Sequence, residues 1–431
     1  MYPNLSYFFN DLFGGHLPDF LSKLLQVFNT FGVMLALSFL AAVYILKKGL
    51  QEKEAAGILK PLLRKQIIGK PASAMELAFN GIIGFALGYK LGLLITDFNN
   101  TTADIQAAVF SSKGNFITAI ILAALMIYWV FAEKKKQQLA EPKEENILLK
   151  PKDWVGEIFI RAAIGGVIGA KLFDCFENWS AFIADPIGML FSGAGLTFYG
   201  GLIVGAGAVG FWVIKNKISF HRMADIIAPS LMIAYAVGRM GCQFAGDGDW
   251  GIFNTAYAVN ENSKVIVANS PNDFHTTFQT QTNFFNNHFG DTTQAPHAFF
   301  KGPSFLPNWL FAYNYPHNVG NEGVMMKDCI GGKYCSVLPL PVFPTPLYEI
   351  LMCLFLFFVI WKLRHRFKYP GQVMAFYMIV NGIERFLIEL IRVNSTYYIF
   401  GIHPTQAEII ALMLVLGGVI YFYLTSRMKL N

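Results

Sequence analysis

Two arginines and three glutamates stand in stretches of this chain that are otherwise largely apolar. They are Arg239 in IAYAVGRMGC, Glu349 in PTPLYEILMC, and Glu384, Arg385 and Glu389 in NGIERFLIEL. A charge at the centre of a membrane helix costs about 2.5–3.5 kcal/mol, so it is retained when paired, near an interface or functional. A guanidinium is a permanent cation on a planar fork that matches phosphate or carboxylate. The chemistry these residues favour is recognition of an anionic group, phosphate above all, where a membrane helix meets a headgroup. The run GRMGCQFAGDGDWG around Arg239 adds Gly241, Gly246, Gly248 and Gly251, and the carboxylates Asp247 and Asp249. Glycines let a backbone bend sharply and come close to a ligand. Farther on, Tyr377, Asn381, Arg385, Glu389 and Arg392 recur at helical spacing and form one polar stripe on an apolar helix. A salt-bridge network between helices would show the same stripe, so both readings stand at this point. Neither a P-loop nor a zinc-binding signature occurs, and no metal ligation is expected.

The elements that position these residues follow from composition. Of 431 residues, 54% are hydrophobic and 14% charged, which is the make-up of a polytopic membrane protein. Nine apolar runs are predicted as spans: roughly Phe31–Leu46, Leu77–Thr96, Phe116–Phe131, Ile158–Phe173, Leu196–Ile214, Ala224–Gln243, Leu347–Trp361, Val373–Ile391 and Gln406–Leu424. The net charge of +6 comes from short basic clusters between these runs, which points to positive-inside topology and away from nucleic acid. The basic loop after the first run sets the N-terminus outside. Every later basic connection, EKKKQQLAEPKEENILLKPK, KNKISFHR and KLRHRFK among them, then falls on the inner side. The uncharged DFNNTTAD stretch follows the second run, and ENWSAFIADPIGMLFSGAG lies outside. No signal peptide is expected at the N-terminus. Under this threading Lys171, Tyr199, Arg239, Glu349, Arg385, Arg392 and Glu408 converge on the outer leaflet.

The predicted organisation is an extracytoplasmic N-terminal segment (1–30), a first core helix (31–49), an inserted helix pair with cytoplasmic linkers (50–150), core helices (151–251), an extracytoplasmic insertion (252–343) and C-terminal core helices (344–431). A faint repeat relates GIIGFALGYKL to AAIGGVIGAKL, matching Gly84, Gly88 and Lys90 to Gly165, Gly169 and Lys171. Either one helix was duplicated or two glycine-rich spans converged, since small residues four apart let membrane helices pack closely. Cys329 and Cys335 flank IGGKY and are able to pair if that loop is extracytoplasmic; free thiols fit equally well.

Taken in order, the motifs resemble the prolipoprotein diacylglyceryl transferases, a family of bacterial membrane enzymes. GRMGCQFAGDGDWG stands for that family's GRxGNFxNGExxG, FYGG for FHGG, PTPLYE for PSQLYE, NGIERFLIELIR for YGxxRFxxExxR and FNTFGVM for the first-helix WYGLM. DIIAP matches the segment before the arginine motif. The resemblance covers the first span and most of residues 158–425. Tyr199 replaces the family's usual histidine, Cys242 an asparagine, Asn381 a tyrosine and Phe31 the first-helix tyrosine. The glycine motif is one residue longer, so either Asp247 or Asp249 takes the place of its glutamate.

The resemblance implies an all-α polytopic fold of about nine transmembrane helices, a seven-helix family core plus two inserted, in the bacterial inner membrane with its active site toward the extracytoplasmic leaflet. It implies transfer of the diacylglyceryl group of phosphatidylglycerol to the lipobox cysteine of a preprolipoprotein signal peptide, without a cofactor. Arg239 and Arg385 would stabilise the departing phosphate. Gly241, Gly246, Gly251 and Lys171 would help hold the lipid, and Tyr199 would orient thiol or phosphate. Tyr348, Glu349, Asn381, Glu389, Asp247 and Asp249 would orient or support the site. Two other readings use the same arginines: an anionic-solute transporter or channel, whose repeats would flank a midplane site, and a lipid-binding family member without transferase activity.

Overall fold

The computed structural model describes residues 1–98, 108, 111–191, 195, 197–270, 272–289, 295–327, 329, 332–394, 396–398 and 401–428. Most of the DFNNTTAD stretch and part of the one ending in FSGAG lie outside the described residues. Nine helices of 18 or more residues occur among those described: α1 (Thr30–Ala55), α2 (Ala74–Thr96), α3 (Phe116–Gln137), α4 (Trp154–Glu177), α5 (Phe198–Lys215), α6 (Phe220–Ala245), α7 (Thr345–Leu363), α8 (Gln372–Glu389) and α9 (Gln406–Ser426). Each contains or closely matches a predicted apolar run. Seven are long and apolar enough to cross a membrane. The other two, α4 and α8, carry the most interrupting charges, including Glu157, Arg161, Lys171 and Asp174 on one and Glu384, Arg385 and Glu389 on the other. The chain is a polytopic, predominantly helical membrane protein.

Local sequence sets the helix ends. Ser73 caps α2 by accepting from the Glu76 amide, and Asn115 caps α3 from the amides of Ile117 and Thr118. Thr405 and Glu408 form a reciprocal capping box on α9. The charged linkers between α1 and α2 and between α3 and α4 are more ordered than a solvated connection. Leu62–Ile68 (β1) and Lys143–Leu149 (β2) pair antiparallel over seven residues each.

The chain divides into two compact units, residues 50–220 and residues 1–49 with 221–431. In the first of these, two helical hairpins repeat one design. Gly84 and Gly88 of α2 lie against the backbone of Ala123 and Ala119 on α3. Gly165 and Gly169 of α4 lie against Val204, Gly205 and Gly200 on α5. Two residues beyond the second glycine, each hairpin carries a lysine that donates to carbonyls of its own loop. Lys90 Nζ reaches Ala108, Ser111 and Lys113 at 3.1, 2.5 and 2.9 Å, and Lys171 Nζ reaches Gly195 at 3.2 Å. The shared geometry of glycines, lysine and loop favours duplication over convergence.

In the other unit, α6 packs beside α7 and α8 around Met232, Ala236, Cys353, Phe357 and Ile360. Residues 252–343 have an aromatic core of their own, with Phe253, Phe274, Phe285, Tyr315, Leu338 and Leu340 buried together. Cys329 and Cys335 are joined in a disulfide there.

Candidate functional site

Four elements bring the charged residues into one chain of ion pairs. Arg239 lies in the last turns of α6, Glu349 near the start of α7, and Arg385 and Glu389 one turn apart on α8. Asp249 sits in the loop after α6, and Arg392 follows the end of α8. Arg239 Nε is 3.1 Å from Glu349 Oε2, and Arg385 Nη1 is 3.4 Å from Glu349 Oε1. Arg385 Nη2 is 2.8 Å from Glu389 Oε2. At the other end Asp249 pairs with both Arg239 and Arg392. The order Arg392–Asp249–Arg239–Glu349–Arg385–Glu389 therefore alternates in sign without a break.

Burial decides what holds the site and what is left to meet a ligand. The Glu349 and Glu389 side chains are 0% exposed, whereas Arg239 and Arg385 keep 16% and 20%. Glu349 and Glu389 are the sequestered partners, whereas the Asp249 side chain, 31% exposed, and the two arginines keep some access to the surface. Tyr235 donates its hydroxyl to Glu349 Oε1 at 2.8 Å, and Asn394 donates to Glu389 Oε1 at 2.6 Å. Arg239 also lies over the Tyr235 ring, 5.5 Å from its centroid.

Backbone contacts lock the loop that carries Asp249. The Gly251 amide donates to Phe343 and the Ile252 amide to Ile391, each at 2.9 Å, while Thr345 Oγ1 donates to the Asp249 carbonyl at 2.8 Å. Gly251 and Arg392 form an antiparallel bridge, so the loop and the end of α8 hold one another in place. Gly246 and Gly248 have φ of +66° and +93°, left-handed values that a side chain would strain. The two aspartates separate here. Burial alone would raise Asp249, but Arg239 and Arg392 outweigh it and hold this carboxyl below the usual range. Asp247 is pushed up, by burial first and then by Asp249. Asp249, and not Asp247, is thus the aspartate that pairs with Arg239 and Arg392.

The glycines differ from the sequence expectation. A Cβ on Gly241 would lie 3.2 Å from the Phe31 ring and 3.3 Å from Met34 Cβ, so this glycine seats α6 against α1. Gly246 abuts Asn318, and Gly251 abuts the Ile391 carbonyl at 2.6 Å. All three glycines stand where the protein approaches itself closely, Gly241 between α6 and α1 and the other two in the loop after α6. Tyr348 also points elsewhere: its hydroxyl donates to the Leu310 carbonyl at 2.8 Å. Asn381 is half-buried on α8, one turn before Arg385. Lys171 and Tyr199 belong to the other unit. Lys171 also contacts Asp174 at 3.3 Å, and Tyr199 is half-buried in the first turn of α5.

Three residues of the cluster are not among the site residues expected from the sequence. Arg392 belongs to the polar stripe, Tyr235 lies four residues before Arg239 on the same helix face, and Asn394 lies beyond the end of α8 with no sequence signal. Cys242, Asp247 and Asp249 bring potential metal ligands within 4.8 Å of one another. Two arginines already neutralise Asp249, which disfavours a cation there.

A family model described as prolipoprotein diacylglyceryl transferase matches residues 115–424. The chain belongs to this family. The match begins just before α3, so it takes in one of the two helices expected from the sequence to form an insertion. The chain is similar to the phosphatidylglycerol–prolipoprotein diacylglyceryl transferase of Leptospira interrogans, with 23% identity over 67% of this chain and 74% of that protein. The enzyme of the same name from Streptococcus uberis is 27% identical over 61% of this chain and 75% of its own length. That from Clostridioides difficile is 26% identical over 72% and 92%.

Proposed function

We propose that this protein transfers a diacylglyceryl group from phosphatidylglycerol to the cysteine thiol in the lipobox of a preprolipoprotein, the first step of lipoprotein maturation. The thiolate sulfur attacks the glyceryl carbon that bears the phosphate ester. A carbon–sulfur bond forms, the carbon–oxygen bond breaks, and glycerol phosphate leaves with the electron pair while the thiol proton passes to a base. The observation that carries this reading is the alternating ion-pair chain, in which Arg239 and Arg385 share one fully buried carboxylate. Family membership and the substrates in the relatives' names support it. A bound phosphodiester would draw on both guanidinium groups, and the departing phosphate gains charge that they stabilise. Glu349, Glu389 and Asp249 then serve as orienters, held by Tyr235, Asn394 and the Gly251 bridge. Lys171, on the parallel with Lys90, is assigned to pinning its loop. The decisive assay is purified protein with phosphatidylglycerol and a lipobox peptide, followed by mass spectrometry. A diacylglyceryl adduct on the cysteine peptide, absent from its Cys-to-Ser counterpart, is the expected result. Lipid binding without an adduct would favour the inactive, lipid-binding reading.

The location proposed is the bacterial inner membrane, with residues 252–343 and the arginine cluster on the extracytoplasmic side. Labelling in intact cells checks this. A cysteine at the exposed position Glu261 should react with a membrane-impermeant thiol reagent, and one at Ala140 should not. The reverse pattern would overturn the threading. Phe285, fully buried in the aromatic core, cannot report on the question.

Tyr199 is proposed to position substrate and not to act as an obligatory base, because an unperturbed tyrosine titrates near 10. Tyr199→Phe removes only the hydroxyl. A neutral hydrogen bond is worth about 0.5–1.5 kcal/mol, so the expected loss is about tenfold at most, with the pH–rate profile unmoved. A fall of about a thousandfold with loss of a titrating limb would make it the base.

A further inference from the structure

Tyr348 marks a depth in the membrane. Helix α7 has 19 residues, which at about 1.5 Å per residue spans roughly the 30 Å hydrocarbon core with nothing to spare. Its first turn, where Tyr348 stands, therefore lies at the boundary between acyl chains and headgroups. Tyr348 also shares a helix face with Leu351, Phe355 and Phe358, at i+3, i+7 and i+10. Those three are 53%, 66% and 64% exposed, the stripe of α7 that faces lipid.

The Tyr348 hydroxyl holds the carbonyl of Leu310, at the end of the loop FFKGPSFLPNWL, residues 299–310. Both ends of this loop are fixed. The buried Asn254 side chain donates to the carbonyls of Phe300 and Phe311 at 2.9 and 3.0 Å, and the Gly302 amide donates to the Tyr257 hydroxyl at 3.1 Å. Between these ties the loop turns its apolar side chains outward: Phe299, Phe305 and Trp309 are 69%, 82% and 51% exposed, and Phe300 and Leu306 are exposed as well. Its one ionised side chain is Lys301. Water-facing surfaces rarely carry so concentrated an apolar patch. A loop that carries both a tryptophan and a lysine suits the level where acyl chains give way to phosphates.

We propose that residues 299–309 are an interfacial anchor, lying in the bilayer leaflet at the Tyr348 end of α7 with a lipid surface as partner. Phe305, Leu306 and Trp309 enter the acyl boundary and extend the lipid-facing stripe of α7, while Lys301 meets anionic headgroups. The anchor fixes the height of the insertion over the membrane. The inference rests on α7 spanning the bilayer and is independent of the reaction catalysed.

The test uses the full chain in nanodiscs of phosphatidylglycerol and phosphatidylcholine, with a nitroxide on Phe305→Cys, on Trp309→Cys and, as a water-facing reference in the same insertion, on Glu261→Cys. The three free cysteines of the chain are buried, and unsubstituted protein gives their background labelling. Collision with oxygen and with a water-soluble nickel chelate is read at each position. At 305 and 309 the oxygen-to-nickel ratio should exceed that at 261 several-fold. Nickel accessibility at 305 and 309 equal to that at 261 would place the loop in water and overturn the proposal. Shielding from both reagents would overturn it too, by showing that a protein surface covers the loop. None of these readouts depends on transferase activity.

Discussion

Arg239→Lys is expected to lower kcat/KM on the order of a hundredfold, the scale for losing one positioned donor to a developing oxyanion. The geometry explains why conserving the charge does not suffice. Arg239 uses Nε toward Glu349 and Nη1 toward Asp249, two carboxylates on different sides of one planar fork. A lysine offers a single ammonium on a flexible stem and cannot hold both while presenting a free edge to phosphate. Arg385, divided in the same way between Glu349 and Glu389, should respond similarly. The adduct assay gives the rate, and thermal unfolding in detergent establishes that each variant is folded. Near-normal turnover in both lysine variants would rule out a specific phosphate clamp.

The second large effect is expected at Glu349, which is fully buried and has three partners: Arg239, Arg385 and the Tyr235 hydroxyl. Glu349→Ala leaves two guanidinium groups in a low-dielectric setting without their shared counter-ion. Breaking a buried pair in this way costs about 3–5 kcal/mol. Both the yield of folded protein and the activity of what folds should fall sharply. Glu349→Gln keeps the shape and an acceptor for Tyr235 but not the charge, so it should fold better than the alanine variant and still turn over slowly. An alanine variant with the wild-type unfolding midpoint and normal turnover would show that the arginines do not depend on this carboxylate. Glu389 ends the ion-pair chain, with one arginine partner and Asn394, so Glu389→Gln should cost less.

The spans and the charges were legible in the sequence, because both depend on local composition. An apolar run of membrane length forms a helix wherever it stands, since a backbone in lipid has to satisfy its own hydrogen bonds. A charge within such a run is conspicuous for its cost. Arg239, Glu349, Arg385 and Glu389 could therefore be picked out before any contact was known, and their motif order indicated the family. The pairings were not legible, because they depend on which atoms meet across elements distant in the chain. Asp247 and Asp249 look equivalent in GDGDWG, and only the fold of the loop after α6 brings Asp249 to both Arg239 and Arg392. Gly241 reads as a ligand-contact glycine beside Arg239, and its close packing against α1 is visible only in the structure, because helix packing takes whichever face lacks a side chain. Tyr348 adjoins Glu349 in sequence, but neighbours on a helix point about 100° apart. Glu349 therefore faces the arginines, while Tyr348 faces the loop at Leu310, a division that only the tertiary structure could make.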